Sequence, residues 1–276
     1  MQPSMDTSVS PRGRLRIGTS GYSYPEWGDA GFYPPGTPAQ AMLPLYARRF
    51  SITELNYTWY QMPKAAAMER MLPKVPAGFG FAAKLTRSMT HEIDPHGWRA
   101  QVTQFRQGIA PLVQADRLSA LLVQLPAAFE RTDARRHYLA ELLDALAGLP
   151  VAVEFRHRSW AVDRVFSELE RRRVTLVSVD APDLPYLFPT LDVVTNPDLF
   201  YIRFHGRNAR GWRSGNMQKQ FDYLYTPAEL QAWSGERIPQ MAARAHSGLI
   251  FFNNHVRAQA PRNAQMLIEQ LEGKTP

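Results

Sequence analysis

The chain contains no cysteine among its 276 residues. That excludes disulfides, thiolate nucleophiles and cysteine-bound zinc or iron–sulfur centres. No apolar run reaches the roughly 18 residues that a membrane-spanning helix needs. The first dozen residues are polar, with scattered Pro, Ser and Gly, and lack the apolar core of a signal peptide. No membrane association is therefore expected, and the expected location is the cytoplasm. HExxH, EF-hand, P-loop and GxSxG patterns are missing. So is a Gly-rich dinucleotide turn, because Gly18-Thr19-Ser20-Gly21-Tyr22 has the wrong spacing for one. There is no dense Lys/Arg tract and no short repeat.

Basic charge is present in excess. The net charge is +7 and the isoelectric point about 9.8. That balance favours an anionic partner, either a small phosphorylated molecule or nucleic acid. The plainer alternative is a thinly basic surface. Arg171, Arg172 and Arg173, for instance, end an expected helix, where cations suit the helix dipole without any partner. Hydrophobic residues make up 45% and charged residues 21% of the chain, an ordinary globular balance. A chain of this length buries a large core without staples.

Eight short apolar runs recur along the chain, at 15–19, 52–57, 79–85, 118–125, 151–156, 174–180, 199–205 and 249–254. Rich in Val, Ile, Leu and Phe, they read as strands buried on both faces of a parallel sheet. Helical patterns lie between most of them, at 39–50, 64–72, 98–115, 133–147, 163–173, 227–245 and 261–272. Asp133 and Asp163 are expected caps, Thr226 precedes Pro227, Pro261 suits a first turn, and Gly148 suits a stop. The Pro-rich segment 181–198 is expected to be an irregular loop. The pattern predicts an α/β protein built as a single (β/α)8 barrel over residues 15–276, with a flexible tail over 1–14. An open doubly wound sheet is the alternative.

Several segments together resemble one family. They are Ile17-Gly18-Thr19-Ser20-Gly21-Tyr22-Ser23-Tyr24, Glu54-Leu55-Asn56 with Trp59-Tyr60, and Phe81-Ala82-Ala83-Lys84. Thr90-His91, Gln124-Leu125-Pro126, and Val153-Glu154-Phe155-Arg156-His157 with Ser159-Trp160 follow. Asp180, Arg203 with His205-Gly206, and Phe252-Asn253-Asn254 with Asn263-Ala264 complete the set. In this order they resemble the DUF72 proteins, a YecE-like family of unassigned function. The resemblance implies a (β/α)8 fold and supplies no reaction. Tyr57, where the family has a small residue, and the loop 207–221 depart from the family pattern.

Strand side chains alternate, so residues two apart share a face. Glu54 pairs in this way with Asn56, and Ala152 with Glu154 and Arg156. Ser178 pairs with Asp180, and Tyr201 with Arg203 and His205. Lys84 and Gln124 fall near the ends of their strands, as does either Asn253 or Asn254. Unpaired ions inside a packed barrel cost several kcal/mol each. Charges recurring at one end of so many strands therefore predict an opening there, where such barrels place their sites. The alternative is an internal salt-bridge network without a ligand.

Glu154 is the leading candidate for a general acid or base, with Glu54 or Asp180 assisting. Confinement raises its pKa and nearby Arg156 or Lys84 lowers it, which leaves the net direction open. A carboxylate that only orients an arginine is the competing reading. Lys84, Arg156, Arg203 and His205 are the expected anion holders. Arg203, His205, the Gly206 backbone and the helix start near Pro261 form an expected phosphate site. Asn56, Gln124, Asn253, Asn254, Tyr22 and His91 are further candidates for ligand contact. Trp160 is expected to pack the loops. A divalent metal, if one is used, would fall to Glu154, Asp180 and His205. The expected function is a hydrolase or lyase acting on a phosphorylated or other anionic ligand, including nucleic acid. A non-catalytic anion-binding protein and carboxylate-pair sugar chemistry are the alternatives.

Overall fold

The eight apolar runs become eight parallel strands in a computed structural model that describes residues 15–273. They are β1 (Leu15–Ser20), β2 (Ile52–Leu55), β3 (Gly80–Lys84), β4 (Leu118–Gln124), β5 (Val151–Glu154), β6 (Thr175–Asp180), β7 (Leu199–Phe204) and β8 (Ser247–Phe252). Each pairs with the next in sequence, and β1 pairs with β8, closing the barrel. The expected N-terminal tail lies outside the described residues. Among those residues, no helix is long and apolar enough to cross a membrane.

The strands are apolar on both faces because both faces are covered. Ile52, Ala82, Leu122, Ala152, Val177, Tyr201, Leu249 and Phe251 point into the barrel. Leu121, Val123, Val153, Ile202, Ile250 and Phe252 point outward into the core shared with the helices. The interior is filled by size complementarity. Alanines on β3, β4 and β5 (Ala82, Ala120, Ala152) leave room for Tyr201 and Phe251, whose rings lie 5.2 Å apart. A close-packed interior of this kind leaves no channel.

The helix Ala39–Tyr46 is tied to the sheet through Tyr46. Its hydroxyl accepts from the Thr19 N–H at 2.8 Å and donates to the Ile52 carbonyl at 3.0 Å. This approach leaves no room for a side chain at Gly18. A Cβ there would sit 2.2 Å from the Ile52 oxygen and 2.9 Å from the Tyr46 hydroxyl.

The helix starts differ in detail from expectation. Thr132, not Asp133, caps its helix, accepting from the Arg135 N–H at 3.3 Å, and Val162 takes the cap position before Asp163. Both aspartates stand instead in the first turn, where the dipole favours them. Thr226 and Glu229 form a reciprocal capping box. The expected helix 227–245 is interrupted by a wide turn at Trp233–Arg237. The helix expected from Pro261 begins earlier, at Gln259. Segment 181–198 carries no helix.

Gly18→Ala should cost about 1–3 kcal/mol, the range for overpacking a filled site. Urea denaturation measures this, and an unchanged midpoint would contradict the close approach.

Candidate functional site

The inward face of the strands turns polar at its C-terminal end. Following Ile52, Ala82, Leu122, Ala152 and Tyr201 inward come Glu54, Lys84, Gln124, Glu154 and Arg203, two residues further along each strand. Strand alternation thus puts five polar groups in one place. Glu54, Glu154, Arg203 and His205 are buried, with Arg203 only 1% exposed.

Arg203 is the hub. Its Nη1 donates to Glu154 Oε2 at 2.6 Å, and its Nη2 to Glu54 Oε1 at 2.5 Å. One guanidinium from β7 therefore bridges carboxylates on β2 and β5. The Tyr201 hydroxyl donates to the other Glu54 oxygen at 2.7 Å. Burial opposes the Arg203 charge, but Glu54 and Glu154 outweigh it and raise its pKa further.

Glu154 carries a second arginine. Arg156 Nε donates to Glu154 Oε1, and His205 Nε2 lies 3.2 Å from the same oxygen. Burial alone would push this carboxyl up, yet Arg156, Arg203 and His205 hold it well below the usual carboxylate range. The Asn253 amide lies 3.1 Å from His205 Nδ1, and Arg156 Nη2 lies 3.1 Å from His205 Nε2, so the ring is held on both sides. Burial first, then Arg156, lowers the His205 pKa to about 3, so the ring is neutral.

Above this floor opens a cavity of about 590 Å³. Lys84, Gln124, Arg156 and Asn253 rise into it, and Trp59, Trp212 and Phe221 are among its walls. The Arg156 guanidinium lies 5.0 Å from the centre of the Trp212 ring, and its Nη1 makes no hydrogen bond among the described residues. Lys84 Nζ sits 5.0 Å from the Trp59 ring centre and forms no ion pair among the described residues. Burial, then Arg203, lowers the Lys84 pKa to about 7, while Glu54 and Glu154 oppose the shift. The Trp59 indole N–H donates to His91 Nδ1 at 3.3 Å. Burial, then Lys84, lowers His91 to about 4, so it too is neutral at pH 7.

Ten of the sequence-derived candidates thus meet here: Glu54, Asn56, Lys84, His91, Gln124, Glu154, Arg156, Arg203, His205 and Asn253. Asp180 does not. Val177 and Val179 take the inward positions of β6, so Asp180 faces the helices. There it accepts from the Trp233 indole at 2.9 Å, the Tyr225 hydroxyl at 2.7 Å and two Arg207 nitrogens at 2.9 and 2.6 Å. Asn254 also faces outward, donating to the Tyr223 carbonyl and to Asn263. Tyr22 stands away from the cavity, packed against Tyr46, and Tyr24 lines it instead.

The phosphate site expected after β7 is likewise absent from that place. Arg203 is held by two carboxylates, and the Gly206 N–H donates to the Tyr225 hydroxyl at 2.8 Å. The expected metal set does not assemble either. Asp180 is on the opposite face of the sheet, and both Glu154 oxygens are taken by cations. No group of three His, Asp or Glu among the described residues suits a metal. Trp160 packs between Phe155 and Phe129, outside the cavity.

The walls escaped the sequence reading. Trp59 and Tyr60 come from a single helical turn, Tyr57–Tyr60, and Tyr186 and His255 from loops, none of which has a periodicity to follow. Trp212 and Phe221 come from the segment after β7, where two short helices, Ala209–Arg213 and Met217–Gln220, fold across the mouth. The one available signal was the aromatic content of that departing loop.

A closed parallel barrel with a polar, cation-bearing cavity at the C-terminal ends of its strands defines the general class. The chain belongs to the DUF72 family, proteins of unknown function, whose model matches residues 16–276. It is 26% identical over 261 residues to the UPF0759 protein YunF of Bacillus subtilis (strain 168), covering 89% of this chain and 92% of that one. A crystal structure of a DUF72 protein from Thermotoga maritima MSB8 superposes with a TM-score of 0.84 at 33% identity, covering 94% of this chain and 99% of the other. One from Enterococcus faecalis V583 gives 0.83 at 27% identity, covering 94% and 95%. SacUVDE shares the fold at a TM-score of 0.53 and 8% identity, covering 94% and 98%.

Glu154→Gln should destabilise the protein by about 3–5 kcal/mol, because it leaves two buried guanidiniums short of charge. Urea unfolding at pH 7 checks this, and a loss below about 1 kcal/mol would contradict it.

His205 gives a pH signature. Its folded pKa of about 3 lies below its ordinary 6.5, so the unfolded chain binds more protons between these values. Its stabilisation is complete above pH 6.5 and fades as pH falls toward 3. Between pH 7 and pH 5 the loss is about 2 kcal/mol. His205→Gln should lose about that much less over the same interval.

Proposed function

We propose that this barrel is an enzyme, a lyase or hydrolase, that takes a small anionic molecule into its C-terminal cavity. The observation that carries this is a charge imbalance. Two carboxylates, Glu54 and Glu154, are matched by two guanidiniums, Arg156 and Arg203. His91 and His205 are neutral at pH 7. Lys84, about half protonated at pH 7, has no counter-ion among the described residues and faces the cavity beside Arg156. An incoming phosphate or carboxylate would complete the balance, held by the free edge of Arg156.

The walls suit the rest of such a ligand. Trp59, Trp212 and Phe221 offer aromatic surface, and Gln124, Asn56 and Asn253 offer amides. Buried polar atoms on Asn56 (Oδ1) and Trp212 (Nε1) lack partners among the described residues. Unsatisfied groups at a cavity wall favour a ligand or water that completes them.

Glu154 acts here by orientation. Both its oxygens are occupied and its acidity is strong, so it is a poor proton donor and a weak base at neutral pH. It fixes the Arg156 fork toward the cavity, and preorganised charge of this kind stabilises a developing anion.

Nucleic acid remains the larger form of the same ligand chemistry. Arg210, Arg213 and Lys219, exposed on the loop over the mouth, form no ion pairs among the described residues. A nucleic-acid ligand touching them would show an affinity falling steeply with salt.

Calorimetry with glycerol 3-phosphate should detect binding, with free glycerol failing to compete. Arg156→Gln should weaken binding tenfold or more. Equal affinity in that variant, or no binding of the phosphate ester by the unaltered chain, would overturn the proposal.

A further inference from the structure

Lys84 carries more than charge. We propose that it is the nucleophilic amine of the site, forming an imine with an aldehyde or ketone whose anionic group is held by Arg156. This rests on the anion reading above and narrows the substrate to a carbonyl compound bearing phosphate or carboxylate.

The first support is position. Lys84 is the last residue of β3, so a rigid strand presents its amine to the cavity rather than a mobile loop. The second is the lack of a partner. Every other cation at the floor is tied down: Arg203 by Glu54 and Glu154, and Arg156 by Glu154. Among the described residues Lys84 has only the Trp59 face. An amine locked in an ion pair cannot offer its lone pair, and this one is not locked. The third is the neighbouring Arg156, which can hold a substrate's anionic end while the carbonyl meets the amine.

The surrounding charges give a usable amine near neutral pH. Facing Lys84 are Arg203 from β7, Glu154 from β5 with Arg156 just beyond it, Glu54 from β2, and His91 from the loop after β3. Burial and the two guanidiniums outweigh the two carboxylates, bringing the amine to about 7. About half is then neutral at pH 7, against less than one part in a thousand for an ordinary lysine.

The step balances without any further reagent. The Nζ lone pair attacks the carbonyl carbon, and the C=O pair moves to oxygen, which takes a proton as nitrogen loses one. The carbinolamine then loses water as its C–O bond breaks and C=N forms. The sum is amine plus carbonyl giving imine plus water. The protonated imine is an electron sink, which suits C–C bond cleavage or formation beside the former carbonyl.

Pyridoxal 5′-phosphate, an aldehyde carrying a phosphate, is a direct probe, trapped by borohydride and located by peptide mass spectrometry. The chain has only five lysines, at positions 64, 74, 84, 219 and 274, so mapping is unambiguous. One adduct per chain is expected, at Lys84, with half-maximal labelling near pH 7. Inorganic phosphate should suppress it, pyridoxal without phosphate should react at least tenfold more slowly, and Lys84→Arg should abolish it. Labelling spread over exposed Lys64, Lys74 and Lys219, rising only above pH 9, would overturn the inference. If glycerol 3-phosphate still binds in that case, the anion reading stands and only the imine chemistry falls. If it does not bind, both fall.

Discussion

Arg203 joins three strands of the barrel through one guanidinium, and the geometry of the mouth depends on that junction. Rising from β7, it divides its two terminal nitrogens between Glu54 on β2 and Glu154 on β5. Buried ions are tolerable only when paired and hydrogen-bonded. Here each carboxylate also has a second donor, Tyr201 for Glu54 and Arg156 for Glu154. Replacing such a cluster with apolar residues would often raise stability, so its retention is better understood as serving position than strength.

What it positions is Arg156. Glu154 is fixed by Arg203 below and in turn fixes Arg156 above, so the free edge of that guanidinium meets the cavity in one orientation. His205, neutral and held by Asn253, fills the remaining side without adding charge. A second polar knot, outside the barrel, serves the roof. Asp180 gathers Arg207, Tyr225 and Trp233, anchoring both ends of the loop that brings Trp212 and Phe221 over the mouth. The two knots lie on opposite faces of the sheet and divide the labour between floor and roof.

The barrel and its floor were legible because they follow a period. Apolar runs separated by helical patterns specify parallel strands, and alternation within a strand put Glu154 with Arg156 and Arg203 with His205. Alternation alone does not say which face is inward. In β6 both choices were available, and Val177 and Val179 took the interior while Ser178 and Asp180 bonded outward, to the Leu191 carbonyl and Trp233. The same ambiguity separates Asn253, which reaches His205, from Asn254, which bonds outward to Asn263. The aromatic walls obey no period, because loop side chains take their directions from tertiary contacts. The state of Glu154 also lay beyond the sequence, since it depends on how closely two arginines approach.

A double-mutant cycle between Arg203 and Glu154 tests the junction most directly. Unfolding free energies of Arg203→Met, Glu154→Gln and the double variant give the coupling. Removing both partners should cost much less than the sum of the single losses, with a coupling of about 2 kcal/mol or more. Losses that simply add, to within about 0.5 kcal/mol, would show that the two side chains act independently and that Arg203 does not organise the site.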